Sequence, residues 1–414
     1  QGTVNLGEGG RVITKASAIS ITSNVPNARF VIKNGAGEVI GEGVTNNEGK
    51  FDGNLELSKA IMPKDKITAE ITDKDGNVLA SDTEIVANVS GLEAEGRYYN
   101  NLLEIGTDID HGAVNAGAGN DKVVTGHIRG SGHITGNSQI NLGDGDNELK
   151  VKTNIDHSRV QMGSGDDIVT VGKWQHAGDS WITDRSIVDL GDGDNNLTVG
   201  TNIDHSRVTT GSGDDIVKVG GHIWNAKDES HSNHPGEADY SINLGDGKNT
   251  LTVGAEVKWS SITTGSGDDK LEFKTYMLDS KVETGKGSDT IKVGTYVEKS
   301  TINLGDGNDT IEVGYFKGNN NNIDGGKGYD KLALTNSGKT IDLSHIAKQA
   351  HNFEEIDISN GKAGQTLKVS LKDVVDLTDG DNILKISGDA GDKVSFKDSG
   401  WSKGSSSDGY TSYT

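Results

Sequence analysis

Aliphatic residues recur along this chain at fixed distances from a repeated Gly-x-Gly turn. The first glycine of each such turn falls at positions 117, 143, 163, 191, 211, 245, 265, 285, 305 and 326. Three residues earlier stand Val114, Ile140, Val160, Val188, Val208, Ile242, Ile262, Val282, Ile302 and Ile323, a β-branched aliphatic side chain every time. Six residues later come Val123, Leu149, Val169, Leu197, Val217, Leu251, Leu271, Ile291, Ile311 and Leu332, and eight later nine of ten positions are aliphatic or Phe273. Inward positions two apart on both sides of a glycine turn predict two short strands per unit, each with one face buried. Five residues before the turn, Ser138, Ser158, Ser186, Ser206, Ser260, Ser280 and Ser300 share the inward parity, where a small hydroxyl suits a crowded corner.

Successive turns are 26, 20, 28, 20, 34, 20, 20, 20 and 21 residues apart, so a beat of twenty survives three insertions. "TNIDHSRVQMGSGDDIVTVG" (153–172) and "TNIDHSRVTTGSGDDIVKVG" (201–220) show how closely the units match. A fixed period of this size predicts a stacked solenoid. One coil cannot bury its few aliphatic side chains alone, so each must stack on its neighbours with parallel strands about 4.8 Å apart, giving a rod.

The flanking segments follow other patterns. Residues 18–90 alternate short strands with turns at Asn-Gly, Asn-Asn-Glu-Gly and Lys-Asp-Gly-Asn, the spacing of an antiparallel sandwich. This stretch resembles the bacterial immunoglobulin-like repeats of large surface proteins. Residues 1–17 read as a linker or a degenerate solenoid turn, and 340–414 carry strands and Gly-Asp turns without the twenty-residue beat. The expected fold is all-β: an N-terminal immunoglobulin-like β-sandwich (18–90), a parallel β-solenoid of about twenty residues per coil (91–339) and a C-terminal β module (340–414). Starting at Gln1 without a signal peptide, the chain reads as a piece of a longer protein.

Composition narrows the function. Glycine is abundant at 59 residues and proline scarce at 3, which fits an ordered chain with many tight turns. With 62 acidic against 40 basic side chains the formal charge is -22, so the basic surface a nucleic acid needs is missing. There is no cysteine, hence no disulfide and no thiolate site, and no apolar run long enough to span a membrane. Crowded carboxylates repel one another unless something neutralises them, and a divalent cation is the obvious agent.

The acidic turns supply the ligand chemistry. In "GSGDDIV" and "GNDTI" the glycines permit backbone angles that turn carbonyls inward, and the following Asp adds carboxylate oxygens. This pattern resembles the repeats-in-toxin nonapeptide G-G-x-G-x-D-x-U-x, whose turns bind calcium between coils of a parallel β-roll. The resemblance implies Ca²⁺ ligands at Asp121, Asp167, Asp215, Asp269, Asp289, Asp309 and Asp330, while Asn147, Asn195 and Asn249 depart from it. Those three coils carry Asp144, Asp192 and Asp246 between the glycines instead, and Asp146, Asp166, Asp194, Asp214, Asp268 and Asp306 complete the candidate metal set. The family has two glycine-Asp turns per coil, whereas here the opposite turn reads "GTNIDHS", "GAEVKWS" or "GTYVEKS", so calcium is expected along one edge only.

His111, His157 and His205 sit on alternate coils, about 10 Å apart at the strand spacing, too far to share a metal; a solvated surface row is the expectation. The insertions 126–137, 172–184 and 221–240 concentrate His127, His176 and His222 with Trp174, Trp181 and Trp224. Loops on a rigid scaffold are where binding concentrates, so these residues are candidates for contact with glycans or other surface proteins. The resemblance as a whole implies a non-catalytic, calcium-stabilised adhesive segment at a bacterial cell surface, exported by type I secretion, serving attachment or biofilm cohesion. Two alternatives are a self-associating surface-layer or matrix subunit and a polysaccharide-modifying β-helix enzyme, an epimerase or lyase.

Overall fold

A computed structural model describes residues 4–5, 16–59, 66–85, 93–95, 102–105, 108–126, 132–173, 180–225, 240–362 and 364–414. The fold is mostly β, with long parallel stacks of short strands. Two compact units divide the chain: Gln1–Gly221 with Lys227–Tyr240, and His222–Ala226 with Ser241–Thr414.

The first unit begins with two antiparallel sheets. Ala16–Ser23 pairs with Lys50–Glu56 and with Val4–Asn5, while Arg29–Lys33 lies between Val39–Val44 and Lys66–Thr72, which in turn pairs with Val78–Ile85. Ile21, Phe30, Ile32, Ile40, Leu55, Ile67 and Ile71 form one buried core, and Phe51 packs edge-on to Phe30 with ring centroids 5.0 Å apart. The connecting turns close through side chains. Asn34 Oδ1 accepts the amides of Ala36 and Glu38, Asn46 Oδ1 those of Glu48 and Lys50, and Asp73 Oδ1 those of Asp75 and Asn77.

Beyond these sheets the unit is built of coils. Arg159–Met162 and Ile168–Val171 flank one glycine turn, as predicted, and each stacks in parallel on the same strand of the next coil. Register is preserved position by position: Val160 stands opposite Val188, and Val169 opposite Leu197. All four side chains are fully buried. The second unit repeats this plan, with Ile262 opposite Val282 and Leu271 opposite Ile291. Aliphatic inward side chains at one period let parallel strands bury them in register, which is what holds thin coils together.

Several coils also have a third, very short strand that the twenty-residue pattern does not predict, and in Thr290–Glu298 and Thr310–Lys317 it is continuous with the strand after the glycine turn. Ile155–Asp156 pairs with Ile182–Thr183, and Val257–Lys258 with Met277–Leu278. Their first residues are fully buried. The repeated Ile of "NIDHS" is therefore a core residue, and the His after it sits at the corner where the chain turns left-handed, with φ of 51°, 50° and 44° at His111, His157 and His205.

In the second unit the stacks continue past the repeats. Glu355–Asp357 pairs with Lys331–Leu334, Lys385–Ser387 pairs with Glu355–Asp357, and Ala350–His351 pairs with Asn322–Asp324. A separate parallel sheet joins Thr340–Asp342, Thr366–Val369 and Lys393–Phe396. Two short helices, Leu343–Ala347 and Leu371–Leu377, interrupt what sequence alone read as strands and turns. The second starts at a capping box: the Ser370 hydroxyl accepts the Asp373 amide at 3.2 Å and the Asp373 carboxylate accepts the Ser370 amide at 3.0 Å.

Candidate metal centre at the glycine turns

The turn aspartates divide into two groups by exposure. Asp121, Asp167, Asp215, Asp269, Asp289, Asp309 and Asp330 are buried, each at 2% exposure or less. Asp144, Asp192, Asp246 and Asp306 between the glycines, and Asp146, Asp166, Asp194, Asp214 and Asp268 just after the second glycine, face solvent. Adjacent residues such as Asp166 and Asp167 thus have opposite environments. Strand parity explains the split, because the buried position lies two and four residues before the inward aliphatics.

The exposed carboxylates latch neighbouring coils through the backbone. Asp144, Asp192 and Asp246 each accept, at 2.8 Å, the amide of the serine one coil on. Asp146 accepts the amide of Asp166, Asp166 that of Asp194, and Asp194 that of Asp214, again at 2.8 Å. The glycines make this stacking possible. Gly165, Gly193 and Gly213 hold φ of 123°, 104° and 120°, and a Cβ on any of them would strike a glycine carbonyl oxygen of the preceding coil.

The buried residues form an inner ladder. Asn147 donates its amide to Asp167 Oδ1 at 2.9 Å, Asp167 to Asn195 Oδ1 at 2.9 Å, and Asn195 to Asp215 Oδ1 at 2.9 Å. In the second unit the ladder runs from Asn249 to Asp269, Asp289, Asp309 and Asp330, with bonds of 2.7 to 2.9 Å. Its next member is Glu354, whose Oε2 accepts the Asp330 amide at 2.6 Å. Sequence reasoning missed Glu354, which lies outside the twenty-residue beat.

Each accepting rung uses one oxygen for this bond; the second atom depends on residue type. Asn147 Nδ2 donates to the carbonyls of Gly143 and Gly145 at 2.9 and 3.2 Å. Asn195 does the same to Gly191 and Gly193, and Asn249 to Gly245 and Gly247. Where the rung is Asp, the equivalent atom is an oxygen in a place built around carbonyl oxygens. Oδ2 of Asp167, Asp269, Asp289, Asp309 and Asp330, and Oε1 of Glu354, are buried and make no hydrogen bond. Thr264 and Thr284 lie beside Asp269 and Asp289, but their hydroxyls donate to the carbonyls of Thr284 and Leu304 at 3.0 and 3.1 Å.

Electrostatics follows from this geometry. Burial pushes Asp167 and Asp309 up to about 7 and Asp330 up to about 8. Asp269 and Asp289, whose carboxylates meet across one coil step, are both raised for the same reason. Burial, together with neighbouring Asp379, lifts Glu354 to about 7. A buried carboxylate facing carbonyls demands either a proton or a cation.

The opposite corner of the coil solves the same stacking problem without charge. Ser138 donates its amide to Ser158 Oγ at 3.1 Å, Ser158 to Ser186 Oγ at 3.2 Å, and Ser280 to Ser300 Oγ at 3.2 Å. Each of these hydroxyls in turn finds a carbonyl, as Ser158 does with Asp156 at 2.9 Å and Ser300 with Glu298 at 2.9 Å. Asn321 and Gln349 prolong this ladder with both amide groups bonded. The fold can therefore build a neutral, satisfied ladder, and on the glycine edge it places aspartate instead.

Among the described residues, the only group of three carboxylate or imidazole ligands whose ligand atoms lie within 4.8 Å of one another is Asp156, His157 and Asp184, away from the glycine turns. It is partly to fully exposed, and His157 Nδ1 pairs with Asp184 Oδ2 at 3.3 Å. Among the described residues no three turn carboxylates converge that closely, so a cation there would need glycine carbonyls to fill its shell. Hard cations of the calcium type accept such mixed oxygen sets of six to eight ligands.

Of the loop candidates, His127, Trp174 and His176 lie outside the described residues. Trp181 stands at the start of a third strand, half-buried, its amide donating to Asn154 Oδ1 at 2.9 Å. His222 and Trp224 are brought together, their rings stacked 3.6 Å apart, with Trp259 edge-on to Trp224 at 6.2 Å and the Lys258 ammonium 4.9 Å from the Trp224 ring. No protein-family model matches the chain, and neither does any curated protein. Among the described residues no helix is long and apolar enough to cross a membrane.

Proposed function

We propose that this chain is a non-enzymatic segment of a large bacterial surface protein, a repeats-in-toxin-like β-solenoid stabilised by calcium, serving attachment or biofilm cohesion. The observation that carries this reading is the row of buried aspartate Oδ2 atoms, unbonded and set where the asparagine coils point a donor at glycine carbonyls. Ca²⁺ would be held by those carboxylates together with the carbonyls of the paired glycines. In this reading the two antiparallel sheets of residues 16–85 are an immunoglobulin-like spacer, and the inserted loops with the Trp224 cluster carry contact with glycans or other surface proteins.

Calcium supplies positive charge, and the chain supplies the reason it is needed. At micromolar calcium the repelling carboxylates oppose stacking, whereas millimolar calcium outside a cell favours the closed coils, because an ion that binds only the folded state stabilises it by mass action. Thermal melts of the full chain followed by circular dichroism test this. The midpoint is expected to rise steeply with added Ca²⁺ and far less with Mg²⁺, whose strict octahedral demand suits such a flexible shell poorly. Equal midpoints in calcium and in chelator would remove the basis of the proposal.

A further inference from the structure

The inner ladder mixes two residue types at one position, and the difference between them is chemical. In the asparagine coils one amide side chain completes the turn: Oδ1 of Asn147 and Asn195 takes the amide of the previous coil, and in all three Nδ2 donates to both glycine carbonyls at 2.9 to 3.3 Å. At Asp167, Asp269, Asp289, Asp309 and Asp330 the first bond is kept and the second lost: Oδ2 is buried without a donor, in residues that are at most 1% exposed.

We propose that Asn147, Asn195 and Asn249 are permanent amide substitutes for the cation, so that calcium demand is assigned coil by coil: a coil with Asp at this position requires an ion to close, and a coil with Asn closes without one. This rests on the reading that calcium binds at the glycine turns. It changes what that reading predicts, because the acidic residues of the asparagine coils, Asp144, Asp192 and Asp246, are exposed latches bonded to backbone amides and not compensating ligands.

The assignment divides the demand unevenly between the two units. In the first, Asp167 is flanked on both sides by Asn147 and Asn195. The second has one amide rung, Asn249, followed by Asp269, Asp289, Asp309 and Asp330 on successive coils and then Glu354. Carboxylates on adjacent rungs repel across one coil step, whereas an amide rung interrupts that repulsion. Loss of calcium therefore opens the second unit first.

Three full-length proteins test the assignment: the wild type, the double variant Asp289→Asn with Asp309→Asn, and Asn195→Asp. Bound calcium is counted by equilibrium dialysis, melting is followed in calcium and in chelator, and hydrogen exchange locates the opening. The double variant is expected to bind fewer ions than the wild type and to melt later in chelator, with slowed exchange around residues 270–313. Asn195→Asp is expected to melt earlier in chelator and to be restored by calcium. A wild type that binds no calcium and ignores chelator sinks the underlying reading. A wild type that binds calcium, beside a double variant with unchanged ion count and unchanged chelator sensitivity, sinks this assignment alone, as does an Asn195→Asp protein that calcium fails to restore.

Discussion

Asp167 and Asp166 are neighbours with opposite tasks, and that contrast contains most of the chemistry. Asp166 is solvated and accepts a backbone amide from the next coil, which anchors one turn to another at little cost. Asp167 is buried and retains an oxygen with no donor. Its pKa, like that of Asp309 and Asp330, lies well above the ordinary 3.8 because burial disfavours the charge. The sign of the resulting pH dependence follows: the folded chain holds protons that the unfolded chain releases, so this contribution is complete below about pH 4 and is lost as pH rises through 7 to 8. In chelator, the melting midpoint is therefore expected to fall between pH 5 and pH 8, and saturating calcium is expected to flatten or reverse that slope. A chelator-treated protein that gains stability over this range would show that these carboxylates are not desolvated. The candidate residues themselves were legible, since the glycine-Asp turn names them; that Asp167 and not Asp166 is buried continues the alternation of Val169 and Val171 back into the turn, a signal that reading the motif by its glycines alone passes over.

At the level of strands and turns, the chain reveals its repeat but not every piece of it. Val160, Val169 and their counterparts recur at fixed offsets and do form the predicted inward faces. Where the third strand stands alone it is two residues long: Ile155 or Met277 offers a single inward side chain, too little for alternation to show. Asp184 and His157 meet only because the insertion after Gly172 returns the chain to the same corner, which no spacing rule anticipates. The helix Leu371–Leu377 had a readable start in Ser370 and Asp373, but seven residues give barely two turns of periodicity. Two substitutions probe this level. Ile262→Ala, at a fully buried position opposite Val282, is expected to cost about 2–5 kcal/mol in denaturant unfolding, whereas Ser266→Ala on the solvent side of the same coil stays within about 0.5 kcal/mol. Gly287→Ala is expected to be as damaging as the core change, because φ is 117° and the new Cβ would meet the Gly267 carbonyl. Equal, small effects from all three would mean that the coils are not packed in this register.

For the molecule as a whole, a charge of -22 and a glycine edge lined with carboxylates are two views of one condition. Serine, asparagine and glutamine form a neutral ladder on the opposite corner, so aspartate on this edge is not forced by the fold. In the proposed reading it makes the coils conditional on a counter-charge, which is the condition a segment kept open before export and closed outside a cell would need. The most direct test is crystallographic. Crystals grown in millimolar calcium, with diffraction recorded at a wavelength where calcium scatters anomalously, are expected to show anomalous peaks between Oδ2 of Asp269, Asp289 and Asp309 and the carbonyls of the paired glycines, with none beside Asn249. Density showing only water at those oxygens, or carboxylates bonded directly to one another with no anomalous signal, would contradict the calcium-closed solenoid.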